Sequence, residues 1–440
     1  MKGIRGKHWR LIYKMNSNNI LTPITEIGMC KPVHVEFMIK QGSVLGAVIS
    51  AITIDSLTRM VEENGKSWEM EGIKINPLLF QDDIFLANKT KEMKESIDII
   101  ETFQNLKRLQ FHEDKSKKSV LNGKTHEKIK VNGIEIERVP NHKYLGKIVE
   151  EGNKEKEEIK ERIKQARGKS NECLSIINNS KLRKKRIDVG LKLLKTEIIP
   201  VLTFGAETWS KLTEKEKHEI ENIQTQYLAK VLRVPVTTPK CALLSEMDLM
   251  KIEHIENLRK LEYFVEISNR DEEKLEVKIK TLMERKEMSY IKEINDLKKM
   301  YNLNQSIEKM PVPKSRKLIK RAIIKKNNDE IKNDIISTKK TQKMTDNNKE
   351  YIRCENFKTA RTIFMVYSDM IEVKANYKGS HKNTKCEACN KDEETTEHLI
   401  KCPKYEDITK ELKNKSSVRN LMKENKPLDI EKHLKIYWKK

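Results

Sequence analysis

The stretch Leu78-Leu79-Phe80-Gln81-Asp82-Asp83-Ile84-Phe85-Leu86-Ala87 decides the fold of the first part of the chain, because it sets two adjacent acids between two apolar runs. The runs have the length and bulk of two short strands, and the polar segment between them predicts a tight hairpin. Two carboxylates at one hairpin tip repel, and burial favours their protonation unless a cation neutralises them. We therefore predict a Mg²⁺ site of the kind that supports phosphoryl transfer by two metal ions.

Two helices are predicted beside this hairpin, and together they make residues 1–150 an α+β domain. The first covers residues 44–61 and begins after Ser43, and the second covers residues 93–109. The apolar positions expected to face a core are Ile49, Ile52, Leu57, Ile97, Ile100 and Phe103.

Residues 151–310 are predicted to be helical. Apolar residues at 187, 191, 194 and 198 form the stripe of one helix face. A basic run precedes this stripe, Lys181-Leu182-Arg183-Lys184-Lys185-Arg186. Two interpretations stay open: a solvated face at the beginning of the helix, or a contact with a phosphate backbone, which needs Lys and Arg without base specificity.

A second basic segment covers residues 314–326, which contain no acid. Its apolar stripe of Leu318, Ile319, Ala322 and Ile323 predicts a basic amphipathic helix that lies on nucleic acid or on a partner. The candidate contact residues are Lys317, Lys320 and Arg321. The polar residues 327–350 predict a linker that is at most partly helical, so residues 311–350 form a basic helix and linker.

The spacing Cys386-x2-Cys389-x8-His398-x3-Cys402 predicts a zinc module within residues 351–440. Three thiols and an imidazole complete a tetrahedral Zn²⁺ shell, which leaves no open position for catalysis and makes the zinc structural. Cys386 and Cys389 suit a knuckle turn, whereas His398 and Cys402 suit one face of a short helix capped by Thr395 or Thr396. Chance placement of cysteine and histidine is the alternative.

Composition points to a modest core and a polyanionic partner. Of 440 residues, 35% are charged and 37% hydrophobic, and the formal net charge is +23. Codon bias in AT-rich coding DNA is the alternative source of the lysines. The longest apolar run, residues 45–54, is too short for a membrane span, and residues 1–10 lack a signal core. An odd number of cysteines, seven, suits a reducing compartment, so we expect nuclear and cytoplasmic localisation without secretion.

Five segments in one order resemble a known family. They are Lys40-Gln41-Gly42-Ser43-Val44-Leu45-Gly46, Phe80-Gln81-Asp82-Asp83, the segment 109–116 with Lys115-Ser116, Tyr144-Leu145-Gly146, and the segment 199–209 from Ile199-Pro200 to Thr208-Trp209. This series resembles the palm motifs, primer grip and helical region of a reverse transcriptase, and more narrowly of the non-LTR (LINE-type) retrotransposon branch. Cys-Cys-His-Cys clusters close many of these polymerases.

The resemblance implies an RNA-directed DNA polymerase with a partial palm, a helical thumb and a zinc knuckle. Asp82 would share two Mg²⁺ ions with an aspartate of an earlier motif, and Asp83 would support it. Gln41 and Gly42 would lie under the RNA template and the incoming nucleotide. Lys115 would help to protonate the departing pyrophosphate, or else is a surface lysine in a turn. The thumb would hold the template and the DNA primer.

The aspartate of the earlier motif is missing, because the acids before Gln41 are Glu26 and Glu36, neither in the expected aromatic-aspartate setting. Gln81, Ala47 and His112 also depart from the family pattern. We therefore expect an amino-terminally truncated copy with weak or no activity, and a second chain could supply the missing palm and fingers. The alternatives are a non-catalytic RNA- or DNA-binding protein, and an unstable product of a relic reading frame.

Overall fold

The computed structural model describes most of the chain outside its carboxy-terminal end. The described residues are 4–37, 43–64, 67–110, 112–120, 128–152, 155–180, 185–303, 307–341, 344, 351–352, 357–371, 373–377, 383–396, 398 and 402–405. The chain divides into two compact units, residues 1–154 and residues 155–440, called here the amino-terminal and carboxy-terminal units. Finer domain boundaries than this stay predictions.

The amino-terminal unit combines helices with short strands, as the α+β prediction requires. Its helices are α1 (Gly6–Asn16), α2 (Val44–Asn64) and α3 (Thr90–Lys107). Its strands are β1 (Ser17–Leu21), β2 (Ile24–Thr25), β3 (Gly28–Met29), β4 (Val33–Phe37), β5 (Trp68–Met70), β6 (Ile73–Ile75), β7 (Leu78–Phe80), β8 (Asp83–Phe85), β9 (Lys117–Lys118), β10 (Lys130–Val131), β11 (Ile134–Glu135), β12 (Glu137–Arg138), β13 (Asn141–Tyr144) and β14 (Lys147–Glu150).

Strand pairing in this unit stays local. The antiparallel pairs are β1–β4, β2–β3, β5–β6, β7–β8, β10–β11 and β13–β14, and β9 pairs with β12 in parallel. Every sheet among the described residues is two-stranded. A continuous palm sheet is therefore not present in the described part of the chain.

A small core joins the two long helices to the acidic hairpin. Leu57 and Val61 of α2 pack with Ile100 and Phe103 of α3, and all four are nearly inaccessible to solvent. Leu79 of β7 lies opposite Ile84 of β8, and both pack against this cluster. Both helices follow the prediction, and of their six expected core positions Ile49 and Ile52 stay only half-buried.

Helix α2 is long and apolar enough, by length and composition alone, to cross a membrane. The uninterrupted apolar run of residues 45–54 is shorter than this helix and ends at Ile54, because Asp55 and Ser56 follow. The helix continues through these polar residues and buries Leu57 and Val61 against α3. Absence of membrane association stays a prediction.

The carboxy-terminal unit is helical over most of its described length. Its helices are α4 (Lys156–Asn179), α5 (Arg186–Leu193), α6 (Ile199–Leu202), α7 (Glu214–Leu232), α8 (Lys240–Glu246), α9 (Ile252–Ser268), α10 (Leu275–Arg285), α11 (Ser289–Met300), α12 (Val312–Ser337) and α13 (Phe357–Tyr367). Short 3₁₀ turns cover Ala206–Thr208, Ile307–Lys309, Lys374–Tyr377 and Pro403–Tyr405. One large apolar cluster joins α4–α8, the end of α12 and α13, and a second joins α9, α11 and the first half of α12.

The predicted stripe of residues 187–198 is the buried face of α5 and of a π-helical turn, Leu194–Ile198. In this turn the Ile199 N–H donates to the Leu194 carbonyl five residues back. The next residue, Pro200, has no N–H to continue the ladder, which favours such a local irregularity. The family-like segment that follows forms core, since Leu202, Ala206 and Trp209 are fully buried.

Helix α12 extends beyond the predicted basic segment. The linker predicted to begin at residue 327 is helical through Ser337. Asn327, Ile331 and Ile335 recur every four residues and are buried, so a narrow apolar stripe continues the helix despite its polar composition. Residues 345–350 lie outside the described part of the chain.

Candidate metal centre and nucleic-acid interface

Four side chains near the carboxy terminus meet as predicted. One ligand atom from each of Cys386, Cys389, His398 and Cys402 lies within 4.8 Å of all the others. The Cys386 and Cys402 Sγ atoms are 3.9 Å apart, and the Cys389 Sγ is 3.3 Å from the His398 Nε2. Bonds of about 2.3 Å to sulfur and about 2.0 Å to nitrogen at tetrahedral angles give ligand separations of about 3.5–3.8 Å, close to the distances in the cluster. The cluster therefore could hold one zinc ion.

Backbone geometry shapes the knuckle between the first two cysteines. The Cys386 N–H donates to the Asp392 carbonyl (2.9 Å), and the Asn390 N–H donates to the Cys386 carbonyl (2.8 Å). The N–H groups of Asp392 and Lys391 donate to the Cys389 sulfur and lower the pKa of that thiol to about 6. Burial raises the pKa of Cys402 to about 11. Because zinc binds thiolates, a bound ion would displace the proton of Cys402 and stabilise the thiolate that burial disfavours.

His398 is oriented by two neighbours. Its backbone N–H donates to the Thr395 hydroxyl (3.0 Å), which confirms Thr395 as the cap. Its Nδ1 lies 3.6 Å from the Asp392 carboxylate, which leaves Nε2 toward Cys389. Such an outer carboxylate is the usual means of fixing the ring of a metal-binding histidine.

The metal centre is attached to the core of the carboxy-terminal unit. The buried Glu394 accepts hydrogen bonds at its carboxylate from the Lys374 N–H (3.2 Å) and at its carbonyl from the Ala375 N–H (3.1 Å). The Thr396 hydroxyl donates to Asp369 (2.6 Å) and therefore anchors the module instead of capping the helix. Neighbouring Ile371 and Val373 are buried in the large apolar cluster.

The acidic hairpin forms as predicted, but its carboxylates are not buried. Phe80 pairs with Asp83, so Gln81 and Asp82 make the two-residue turn, with Gln81 at a positive φ of 54°. Asp82 and Asp83 are both exposed to water, because only the other face of the hairpin packs on the helices. Burial therefore gives no reason for a neutralising cation. Among the described residues the one group of three or more metal-ligating side chains is the zinc cluster, so magnesium has no geometric support.

Two of the family-like segments are neighbours in space. The Phe85 ring of the acidic hairpin packs on the Tyr144 ring of the β13–β14 hairpin, with centroids 5.1 Å apart. The turn of that second hairpin holds Leu145 and Gly146, both with positive φ. Burial, and then the negative charge of Asp83, raise the pKa of Tyr144. The segment expected to grip a primer thus lies beside the predicted catalytic acids.

Of the remaining predicted palm residues, the structure describes Lys115. Lys115 is exposed at the end of a 3₁₀ turn, Glu113–Lys115. No hydrogen bond or ion pair among the described residues joins it to Asp82 or Asp83. Gln41 and Gly42 lie outside the described residues.

The first basic run divides into exposed and buried parts. Lys181, Arg183 and Lys184 lie outside the described residues, and Lys185 is exposed. Arg186 is buried, and its predicted contact with nucleic acid is wrong for that reason. Its Nε donates to the Val231 carbonyl (2.7 Å), and its two Nη groups donate to the Ile177 and Lys230 carbonyls and the Asn178 side chain.

Arg186 therefore ties the ends of two helices together. The Ile177 carbonyl belongs to the last turn of α4, and the Lys230 and Val231 carbonyls belong to the last turn of α7. The Lys230 carbonyl also accepts from the Arg233 N–H (3.2 Å), and the Ile177 carbonyl also accepts from the Ser180 hydroxyl (3.2 Å). Carbonyls of a last helical turn have few partners within their own helix, and the negative end of the helix dipole favours a cation there. Desolvation by burial, and then the charge of Arg233, lower the pKa of Arg186.

The second basic segment presents an exposed stripe. Lys314, Lys317, Arg321 and Lys325 follow a 3-4-4 spacing on α12, and all are exposed. The opposite side of the helix is fixed by Ile319 and Ile323, which are fully buried. Lys320 lies on the flank of the helix, near Glu262. Burial raises the pKa of Glu262, and the charges of Arg316 and Lys320 oppose that rise. Arg316 itself pairs with Glu266 at 2.8 Å.

Sequence patterns did not reveal the buried polar network that orders the far half of α12. His254 of α9 bonds to the Tyr301 hydroxyl through Nδ1 (2.7 Å) and to Glu330 of α12 through Nε2 (3.0 Å). Lys251 adds an ion pair with Asp334 (2.9 Å). Burial lowers the pKa of His254. These residues are dispersed along the chain, so no local spacing could have predicted them.

No protein-family model matches this chain, and no curated protein matches its sequence.

Proposed function

We propose that this chain is a nucleic-acid-binding protein of reverse-transcriptase type, which holds RNA template and DNA primer through basic helices and a structural zinc module. The carrying observation is the α12 stripe, Lys314, Lys317, Arg321 and Lys325, exposed along one face of a helix whose other face is buried. A rigid row of cations suits a regularly spaced phosphate backbone. The net charge of +23 supports the same partner.

The stripe is tested by removing two of its charges. We expect the variant Lys317→Gln/Arg321→Gln to bind an RNA–DNA hybrid about 3- to 10-fold more weakly at about 100 mM salt, because it loses two phosphate contacts. The steepness with which affinity falls with salt should also decrease, by about 1 for each lost contact. Fluorescence anisotropy at several salt concentrations measures both the affinity and its salt slope. The matched control is Lys292→Gln/Lys299→Gln, which removes two exposed charges from α11. Equal binding by the two variants would reject the stripe as the contact.

A second candidate function is nucleotidyl transfer, favoured by the packing of Phe85 on Tyr144. This contact brings the acidic turn and the segment resembling a primer grip together, as a polymerase palm requires. Asp82 and Asp83 would hold Mg²⁺, which would activate the primer 3′-hydroxyl and neutralise the departing pyrophosphate. A further carboxylate is needed from elsewhere, and a second chain that completes palm and fingers is its proposed source.

We expect the isolated chain to extend a DNA primer on an RNA template with Mg²⁺ no faster than its Asp82→Asn variant. The reason is that two exposed acids from one turn do not fix two metal ions, and loss of preorganisation costs orders of magnitude in rate. Glu69→Gln, at an exposed position of β5, is the charge-matched control. Extension that Asp82→Asn abolishes and Glu69→Gln preserves would make polymerisation the leading function.

A further inference from the structure

Four cations belong to three chain segments that meet at the carboxy-terminal end of α7. Lys230 and Arg233 belong to that end, where Arg233 is the capping residue. Lys185 is carried there by its neighbour Arg186, whose guanidinium binds the Lys230 and Val231 carbonyls. Arg361 of α13 contacts the same helix end, because its Nε donates to the Arg233 carbonyl (2.7 Å). We call Lys185, Lys230, Arg233 and Arg361 the α7 patch.

Most of the positive charge of the α7 patch has no structural role in the fold. Arg186 and Arg361 already satisfy carbonyls at the end of α7, which is the structural use of cations at that position. The side chains of Lys185, Lys230 and Arg233 are exposed, and Arg361 is half-buried. Across the described residues no ion pair involves any of the four, and α5 contributes one exposed acid to the vicinity, Asp188. The positive charge of these four side chains is therefore not neutralised by an ion pair among the described residues.

We propose that the α7 patch binds the sugar–phosphate backbone of nucleic acid. This inference rests on the proposed function and names a second contact surface for it, separate from the α12 stripe. Guanidinium and ammonium groups at one helix end bind phosphate oxygens without reading bases. Lys185, which is exposed, belongs to the basic run 181–186 of the sequence. Arg186 serves as a positioning residue that holds the three segments together.

The test removes two patch charges that the fold does not use. We expect Lys230→Gln/Arg233→Asn to lower the salt slope of binding to an RNA–DNA hybrid by about 1 to 2 and the affinity by about 5- to 10-fold. Asparagine is chosen at 233 because that residue has a positive φ of 55°, which asparagine tolerates. The control is again Lys292→Gln/Lys299→Gln, and an unchanged melting temperature certifies the fold. Lys185→Gln is the second variant, since the Lys185 side chain makes no capping hydrogen bond at the beginning of α5, and its expected slope change is about 1.

The outcomes separate the two claims. Patch variants that bind like the α11 control, while Lys317→Gln/Arg321→Gln weakens binding, would overturn the patch and leave the proposed function standing. A wild-type chain that fails to bind RNA, DNA or their hybrid would overturn both. Weaker binding by the patch variants and by Lys185→Gln at constant melting temperature supports the patch.

Discussion

Replacing Arg186 with methionine is expected to destabilise the carboxy-terminal unit by about 2–4 kcal/mol, because the buried Val231 carbonyl of α7 loses its donor and the Ile177 and Lys230 carbonyls each lose one of two donors. Each unsatisfied buried polar group costs about 1–3 kcal/mol. Methionine keeps much of the apolar contact with the Phe357 ring, which lies 5.6 Å from the guanidinium carbon. Urea denaturation followed by far-UV circular dichroism measures the change.

The matched control is Lys185→Met, one residue earlier and exposed. It removes the same charge from the same chain segment and is expected to change stability by less than about 0.5 kcal/mol. If Arg186→Met and Lys185→Met were equally stable, Arg186 would not be the residue that joins the two helix ends. The prediction that Arg186 faces solvent and contacts nucleic acid would then be supported again.

Removal of zinc is expected to lower the stability of the segment that contains Cys386 and Cys402 by a comparably large amount. The purified chain should contain one zinc per molecule, because the four ligand atoms fill one tetrahedral shell. After chelation, the backbone amides of Cys386, Asn390 and His398 should lose about 1,000-fold of their protection from hydrogen exchange. Structural zinc contributes about 10–16 kcal/mol in isolated small modules, and attachment through Glu394 retains part of the fold here.

A pair of serine variants controls for the loss of a thiol as such. Cys389→Ser should bind zinc poorly and reproduce the chelated state. Cys30→Ser, at an exposed position of the amino-terminal unit, should retain full zinc content. Protection of the three amides that is the same with and without chelator would show that the cluster is not a metal centre.

Features set by neighbouring residues were predictable from the sequence. The acidic hairpin follows from two short apolar runs around a polar turn, and α2 and α3 follow from their apolar periodicity. The Cys-Cys-His-Cys cluster follows from its spacing, because a knuckle after Cys386 and a turn capped by Thr395 bring the four ligand atoms near one another. The Thr395 cap was one of two local candidates.

Features set by distant residues were not predictable. Arg186 looks like its lysine neighbours in sequence, and only the meeting of α4 and α7 buries it. Asp82 and Asp83 have apolar neighbours, yet the hairpin buries one face and leaves its tip in water. The contacts of the far half of α12 also come from another segment, since His254 and Lys251 bond to Glu330 and Asp334. The α7 patch depends on the same kind of long-range contact.

The most direct test of the central claim is the wild-type arm of the anisotropy titration, with an RNA–DNA hybrid at salt concentrations from about 50 to about 200 mM. Phosphate contacts from the α12 stripe and the α7 patch predict binding whose logarithmic affinity falls with the logarithm of salt at a slope of about −3 to −6. Binding that is absent, or that has a slope near zero, would contradict a protein built to hold a nucleic-acid backbone.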